Sequence, residues 1–243
     1  MKLLSFAGRN TKEILRDPLN LAFGLGFPVI LILLLSAIQA NIPVSLFEID
    51  RLAPGITVFG LSFMTLFAAT LVARDRESAL LQRLYTTPLT AADFIFGYAL
   101  PLLPISLAQC IICYLVSLPL GLHFTVHTLL SVLTLLPASV FFVSLGLLAG
   151  SVMNVKQVGG VCGALLTNLC GWFSGIWFDI ELVGGAFRKI GDVLPFAHAV
   201  EVQRAVSGGQ FDAVFPHLWW VLGYALVTTV LAVLFFLRQM RRQ

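Results

Sequence analysis

Charge is what this sequence most conspicuously lacks. Asp, Glu, Lys and Arg make up 11% of its 243 residues, whereas a soluble domain carries about a quarter. A chain this apolar cannot clothe a globular core in polar surface, so water is not its main solvent. The net charge of +3 is small and dispersed, which argues against a nucleic-acid partner. Cysteine is scarce: Cys110, Cys113, Cys162 and Cys170 all lie inside apolar runs, where no extracellular disulfide framework would be built. Cys110-x-x-Cys113 therefore reads as small apolar packing before redox chemistry. There is no Asn-x-Ser/Thr acceptor and no Gly-x-x-x-x-Gly-Lys-Ser/Thr loop to cradle a nucleotide phosphate. His-Glu-x-x-His and Gly-x-Ser-x-Gly are missing too, which leaves an intramembrane enzyme the weakest functional reading.

What the sequence does have is long uncharged tracts: Pro18 to Phe47, Leu52 to Ala73, Phe94 to Val155, Gln157 to Phe178 and Ala213 to Leu237. A span needs roughly 20 apolar residues. The third tract, at 62 residues, must therefore turn once, near Gly121 to His127. An all-α integral membrane protein with six spans follows, at Leu19–Ile38, Pro54–Ala73, Phe94–Leu120, Thr128–Val152, Gln157–Phe178 and Leu218–Leu237. The first span is too long for a signal h-region and is read as retained.

Six spans place both termini on one side. On that side fall Lys2, Arg9, Lys12, Arg16, Arg74, Arg76, Arg83, Lys156, Arg238, Arg241 and Arg242, against Arg51, Arg188, Lys189 and Arg204 opposite. The positive-inside rule then puts both termini in the cytoplasm and the segment 179–216 outside. Residues 1–17 read as an amphipathic interfacial helix on the inner leaflet, with Leu4, Ala7, Thr11, Ile14 and Leu15 on one face. Asp17-Pro18 ends it, because a residue before proline avoids the helical region.

Between spans two and three lies Arg74-Asp75-Arg76-Glu77-Ser78-Ala79-Leu80-Leu81-Gln82-Arg83-Leu84-Tyr85-Thr86-Thr87-Pro88-Leu89. It reads as a short amphipathic helix with Leu80, Leu81 and Leu84 on one face. Asp75 and Glu77 are expected at its positive N-terminal end and Arg83 near its C-terminal end. Thr90-x-x-Asp93 supplies a capping box for span three. A hairpin needs only a few residues, so the segment is either a docking surface for a cytoplasmic partner or a solvated loop; periodicity leaves both open.

The run Arg74, Asp75, Arg76, Glu77, Leu81, Leu84, Thr87, Pro88 resembles the coupling-helix motif of the ABC-2-type permeases, the membrane subunits of ATP-binding-cassette exporters. Arg9-Asn10-x-Lys12-Glu13-x-x-Arg16-Asp17-Pro18 is similar to the segment by which that family enters the membrane. Leu194-Pro195-Phe196 with Glu201 and Arg204 resembles its external segment before the last span. The chain departs from the pattern at Ala79, where glycine is usual, at Leu80, where threonine is, and at Gln82, where an acid is.

The resemblance implies a permease subunit that forms a conduit with a second permease subunit, a homodimer preferred to a heterodimer. Two copies of a separate ATPase would dock on Arg74, Asp75, Glu77, Leu80, Leu81, Arg83, Leu84 and Pro88. The permease would bind no cofactor, ATP and Mg residing on the partner, and its expected location is a bacterial-type inner membrane. A subunit using the same helix only for sensing or assembly is the alternative.

The spans contain no Asp, Glu, Lys, Arg or His. That weighs against ion-coupled carriage and suits an amphiphilic substrate. Gln109 and Asn168 are their strongest polar groups, read as interhelical hydrogen bonding or as substrate pathway. Gly146/Gly150, Gly159/Gly163 and Gly171/Gly175 allow close helix approach. Outside, Pro195 to Val206 is helix-compatible and re-entrant, so Pro195, Phe196 and Arg204 are candidate gate residues, or parts of an ordinary interfacial helix. His123 and His127 lack a third metal ligand.

Overall fold

The computed structural model describes residues 2–78, 80 and 90–240. The described residues form helices and turns with no strand. In chain order they are α1 (Lys2–Leu15), α2 (Pro18–Gln39), α3 (Ile49–Glu77), α4 (Ala91–Ser117), α5 (Val126–Val152) and α6 (155–172). Then come the short α7 (Ile180–Val183) and α8 (Gly185–Val193), followed by α9 (Pro195–Ser207) and α10 (Val214–Met240).

Helix α3 is the axis of the bundle. It is apolar on every side, with Ile56, Leu61, Met64, Val72 and Ala73 all fully buried, as expected of a helix enclosed by others. Helices α2, α4, α5, α6 and α9 pack around it. The outer faces of α2, α4, α5 and α10 carry exposed Ile30, Leu33, Phe96, Leu115, Leu133, Leu226 and Leu234. So much contiguous exposed apolar surface is the signature of a lipid-facing exterior.

Among the described residues, five helices are long and apolar enough to cross a membrane. The expected fifth span, Gln157–Phe178, is the exception. Its helix α6 is α-helical over Val155–Val158, π-helical over Gly159–Leu166 and α-helical again over Thr167–Trp172. It stops there because the chain turns, with Gly175 at φ 68 and its carbonyl accepting from Arg204 Nη2 at 2.9 Å. Gly175 is thus a turn residue, and Gly171/Gly175 is no helix-packing pair. Of the six expected spans, five coincide with long apolar helices among the described residues, and the Gln157–Phe178 segment is shorter and irregular.

Two further expectations change. In α1 the buried stripe is Phe6, Ala7, Asn10 and Ile14, while Leu4 is 66% and Leu15 60% exposed. The stripe follows α4, where Phe6 meets Phe94 and Tyr98 edge-on at 5.7 and 5.0 Å. Protein contact, not the apolar count, decided which face turned inward. Secondly, span two does not end at Ala73. The helix continues through Glu77 and is closed by Ser78, whose N–H donates to the Arg74 carbonyl. Asp75 and Glu77 therefore sit at a C-terminal helix end, opposite to the expected N-terminal placement, and there the dipole favours Arg74 and Arg76 instead.

The chain keeps several local rules. Asp17 caps α2 by accepting from Asn20 N–H, and Thr90 with Asp93 forms a reciprocal capping box at α4. Gly121, at φ 111, makes the turn between α4 and α5. Helix α9 is wedged among α3, α5 and α10, with Phe196 and Val200 buried.

Candidate functional site

The four residues at the end of α3 each hold a different element. Arg74 Nη1 donates to Asp17 Oδ2 at 3.0 Å, where α1 gives way to α2. Asp75 is 2% exposed. It accepts from Arg9 through both guanidinium terminal nitrogens and from Tyr98 Oη at 2.7 Å, joining α1 and α4 to α3. Arg76 donates to the Ser151 carbonyl and, at 2.5 Å, to the Met153 carbonyl, supplying donors to the open end of α5. Glu77 Oε1 accepts from Val155 N–H at 2.9 Å, at the first turn of α6. One short run of sequence thus ties together α1, α2, α4, α5 and α6.

The chemistry of this knot explains its residue types. A buried carboxylate is costly unless paired, and a guanidinium fork offers two parallel donors. Burial alone would lower the Arg9 pKa, but the hydrogen bond and charge of Asp75 outweigh it and hold the value above its ordinary level. Burial likewise pushes the Glu13 carboxyl up, with Arg9 opposing. Asn10, fully buried, donates to the Gly97 carbonyl at 3.0 Å and accepts from Arg9 at 2.8 Å. Sequence reasoning singled out neither Tyr98 as a partner of Asp75 nor Asn10 as a partner of Arg9. The signal present was a polar residue on the apolar stripe of α1.

Of the remaining sequence-predicted docking residues, Leu80 is half-buried, and Leu81, Arg83, Leu84 and Pro88 lie outside the described residues.

A second feature is an open groove on the side of the bundle. A cavity of about 370 Å³ is bordered by Phe23 and Phe27 of α2, Phe59 and Phe63 of α3, Thr167 and Asn168 of α6, and Trp177. Its two flanking helices are both π-helical alongside it, at Ala22–Gly26 and Gly159–Leu166, a local geometry common at functional positions. Asn168 is exposed there, its amide donating to Ala164 O of its own helix at 2.8 Å. That bond runs along α6 and joins it to no other helix among the described residues.

Gln109 is placed differently. It is fully buried, with Nε2 3.4 Å from the Thr57 carbonyl of α3 and 3.2 Å from Cys113 Sγ. Gly60 leaves room for it, since a Cβ there would collide with the amide. Replacing Gln109 with Leu should lower the stability of the purified protein by about 1–2 kcal/mol, whereas Asn168→Leu should change it by less than about 0.5 kcal/mol. Thermal unfolding of both variants in the same detergent checks this. Equal losses would mean the two amides are equivalent.

At the opposite end of the bundle, Pro195 and Phe196 are buried, Phe196 stacking on Phe142 at 6.1 Å. Arg204 pairs with Glu201 at 2.8 Å as well as holding Gly175. These residues seat α9 within its own subunit.

The sequence matches the ABC-2 type transporter family over residues 1–207. This chain belongs to that family. It is a transmembrane permease component of an ABC transporter. A comparison with curated proteins finds no match. In an ABC-2 permease the membrane subunit works with an ABC ATPase, and the knot at the end of α3 immediately precedes the sequence-predicted docking segment.

Proposed function

We propose that this ABC-2 permease is an exporter subunit in which residues 74–89 receive the motion of a separate ATPase and the knot at Arg74 to Glu77 passes it to the spans. The observation that carries this reading is that Arg74, Asp75, Arg76 and Glu77 hold five other helices at once. A push on the adjoining segment would move those helices as a unit, because each contact is short, and Asp75 is enclosed and fully partnered. Two ATPase subunits carry ATP and Mg, and both permease termini face the cytoplasm of an inner membrane.

The pathway lies between two copies of the chain. Supporting this, a Cβ added at Gly159 or Gly160 would meet nothing within 4 Å, and Leu165 beside them is 55% exposed. That face of α6 is unfilled within one subunit and borders the aromatic cavity. Asn168 then offers a strong hydrogen-bonding group to an amphiphilic substrate, with Phe and Trp rings around it. The α9 region, including Pro195, Phe196 and Arg204, closes the outer end.

Leu84→Asp tests the coupling role. Burial of a leucine contributes about 1.5–3 kcal/mol, so ATPase association should fall by about tenfold or more, with membrane insertion unchanged. Pull-down and hydrolysis assays at matched permease levels read it out. Full association with full transport would refute the coupling assignment. Association without any substrate-stimulated hydrolysis in the wild type would instead favour a sensor or assembly subunit.

A further inference from the structure

We propose that His198 and His217 form a one-proton binding site that clasps α9 to the first turns of α10, making the outer end of the bundle responsive to pH. The two imidazoles face each other through their Nδ1 atoms at 2.8 Å. His198 Nε2 lies 2.8 Å from the Asp192 carbonyl oxygen, at the end of α8. A carbonyl only accepts, so that nitrogen carries a hydrogen in every state. In the neutral pair His198 Nδ1 is then the acceptor, and His217 donates to it.

Adding one proton needs no rearrangement of heavy atoms. His198 becomes an imidazolium whose Nε2–H meets Asp192 O and whose Nδ1–H meets the lone pair of His217 Nδ1, His217 shifting to its other tautomer. Both donors of the cation are satisfied, which makes the bond charge-assisted and stronger. Its ring face is also covered. His198 lies flat on Trp220, centroids 5.2 Å apart at 4°, the arrangement in which an indole attracts a cation. A second proton would set two N–H groups against each other at this separation and open the clasp.

Charged groups flank the pair, and Glu201 acts on His217 directly. On α9, Glu201 is bonded to Arg204. On α8, the Asp192 carboxylate pairs with Arg188 at 3.8 Å, and Lys189 is exposed. On the turn before α10, Asp212 is exposed. On α10, Tyr224 donates to the Val193 carbonyl at 2.9 Å, fastening the same corner independently of pH. The clasp matters because α9 is wedged against α3, α5 and α10, so its hold on α10 sets how firmly the outer end is closed.

The test uses the full chain in detergent micelles, titrated from about pH 8 to about pH 5.5, the window in which imidazoles charge. Imidazolium against an indole face quenches its emission, so tryptophan fluorescence should fall on acidification with a one-proton slope. Trp220→Phe and His198→Phe should each lose that change. His217→Phe removes the acceptor and should move the midpoint to lower pH. If His198→Phe fails to elute as a single peak, His198→Gln replaces it with the same expectation. Wild-type emission flat across the window, a two-proton slope, an unchanged titration in the His198 variant, or a His217→Phe midpoint at or above that of the wild type would overturn the proposal.

Discussion

Replacing Asp75 with alanine should cost the protein about 3 kcal/mol of stability, the low end of what removing one partner of a buried ion pair costs. The low end applies because the charge left behind, the Arg9 side chain, is 36% exposed and can recover some hydration. Alanine also removes the carboxylate to which the Tyr98 hydroxyl donates at 2.7 Å. The apparent melting temperature should fall by about 6–12 °C for a chain of this size. Asp75→Asn keeps an acceptor for Tyr98 and should fall in between. Arg74→Ala, breaking a pair whose arginine is 51% exposed, should cost less than about 1 kcal/mol. Arg9 and Asp75 should be non-additive by at least about 1 kcal/mol in a double-mutant cycle. If Asp75→Ala melted with the wild type, the knot would not be holding the helices. The same variant assayed with its ATPase separates stability from coupling: thermally rescued by lipid yet unstimulated by substrate, it would place Asp75 in transmission as well.

A change of one methyl group should do comparable damage in α5. A Cβ on Gly150 would sit 2.5 Å from the Ala69 carbonyl oxygen and 2.9 Å from Val72 Cβ, and one on Gly146 would collide with the Thr65 carbonyl. These carbonyls are backbone of the central helix and cannot swing aside. Gly150→Ala and Gly146→Ala should each cost about 1–3 kcal/mol, and the double variant should accumulate too little protein to purify. The matched control is Gly160→Ala, whose Cβ would meet open space. It should leave the melting temperature of the isolated subunit unchanged or slightly raised, since alanine is the better helix former. Should Gly160→Ala be as harmful as Gly150→Ala, the close packing of α5 on α3 would not be what these glycines serve.

The contrast between Gly150 and Gly160 shows how far a linear pattern reaches. Both belong to stretches that read as close-packing helices, and both lie at helix depth. Only the position of a second helix distinguishes them. Asn168 and Gln109 divide in the same way: an amide in an apolar run must find a partner, but whether it looks inward to Thr57 or along its own helix to Ala164 depends on which face the bundle covers. For the docking segment, the helix boundary was not readable. Nothing in Ala73-Arg74 stops a helix, and the contacts of Arg76 and Glu77 with the ends of α5 and α6 are what make its continuation favourable.

By itself the sequence determined that this protein lives in a membrane, that it is helical, where its long apolar runs lie, that α1 ends before Asp17-Pro18, and how helices begin at Thr90 and Pro195. Those properties follow from solvent transfer and from caps that act across three or four residues, so no distant partner is needed. Tertiary structure alone decided that Asp75 belongs to Arg9 and Tyr98, that α6 breaks into a π-helix and a turn, and that His198 meets His217. The two pairings join groups from different helices, 66 residues apart for Arg9 and Asp75. Such a pairing is settled only when packing has brought the helices together, because the cost of leaving a buried charge or amide unpaired then selects one arrangement among many.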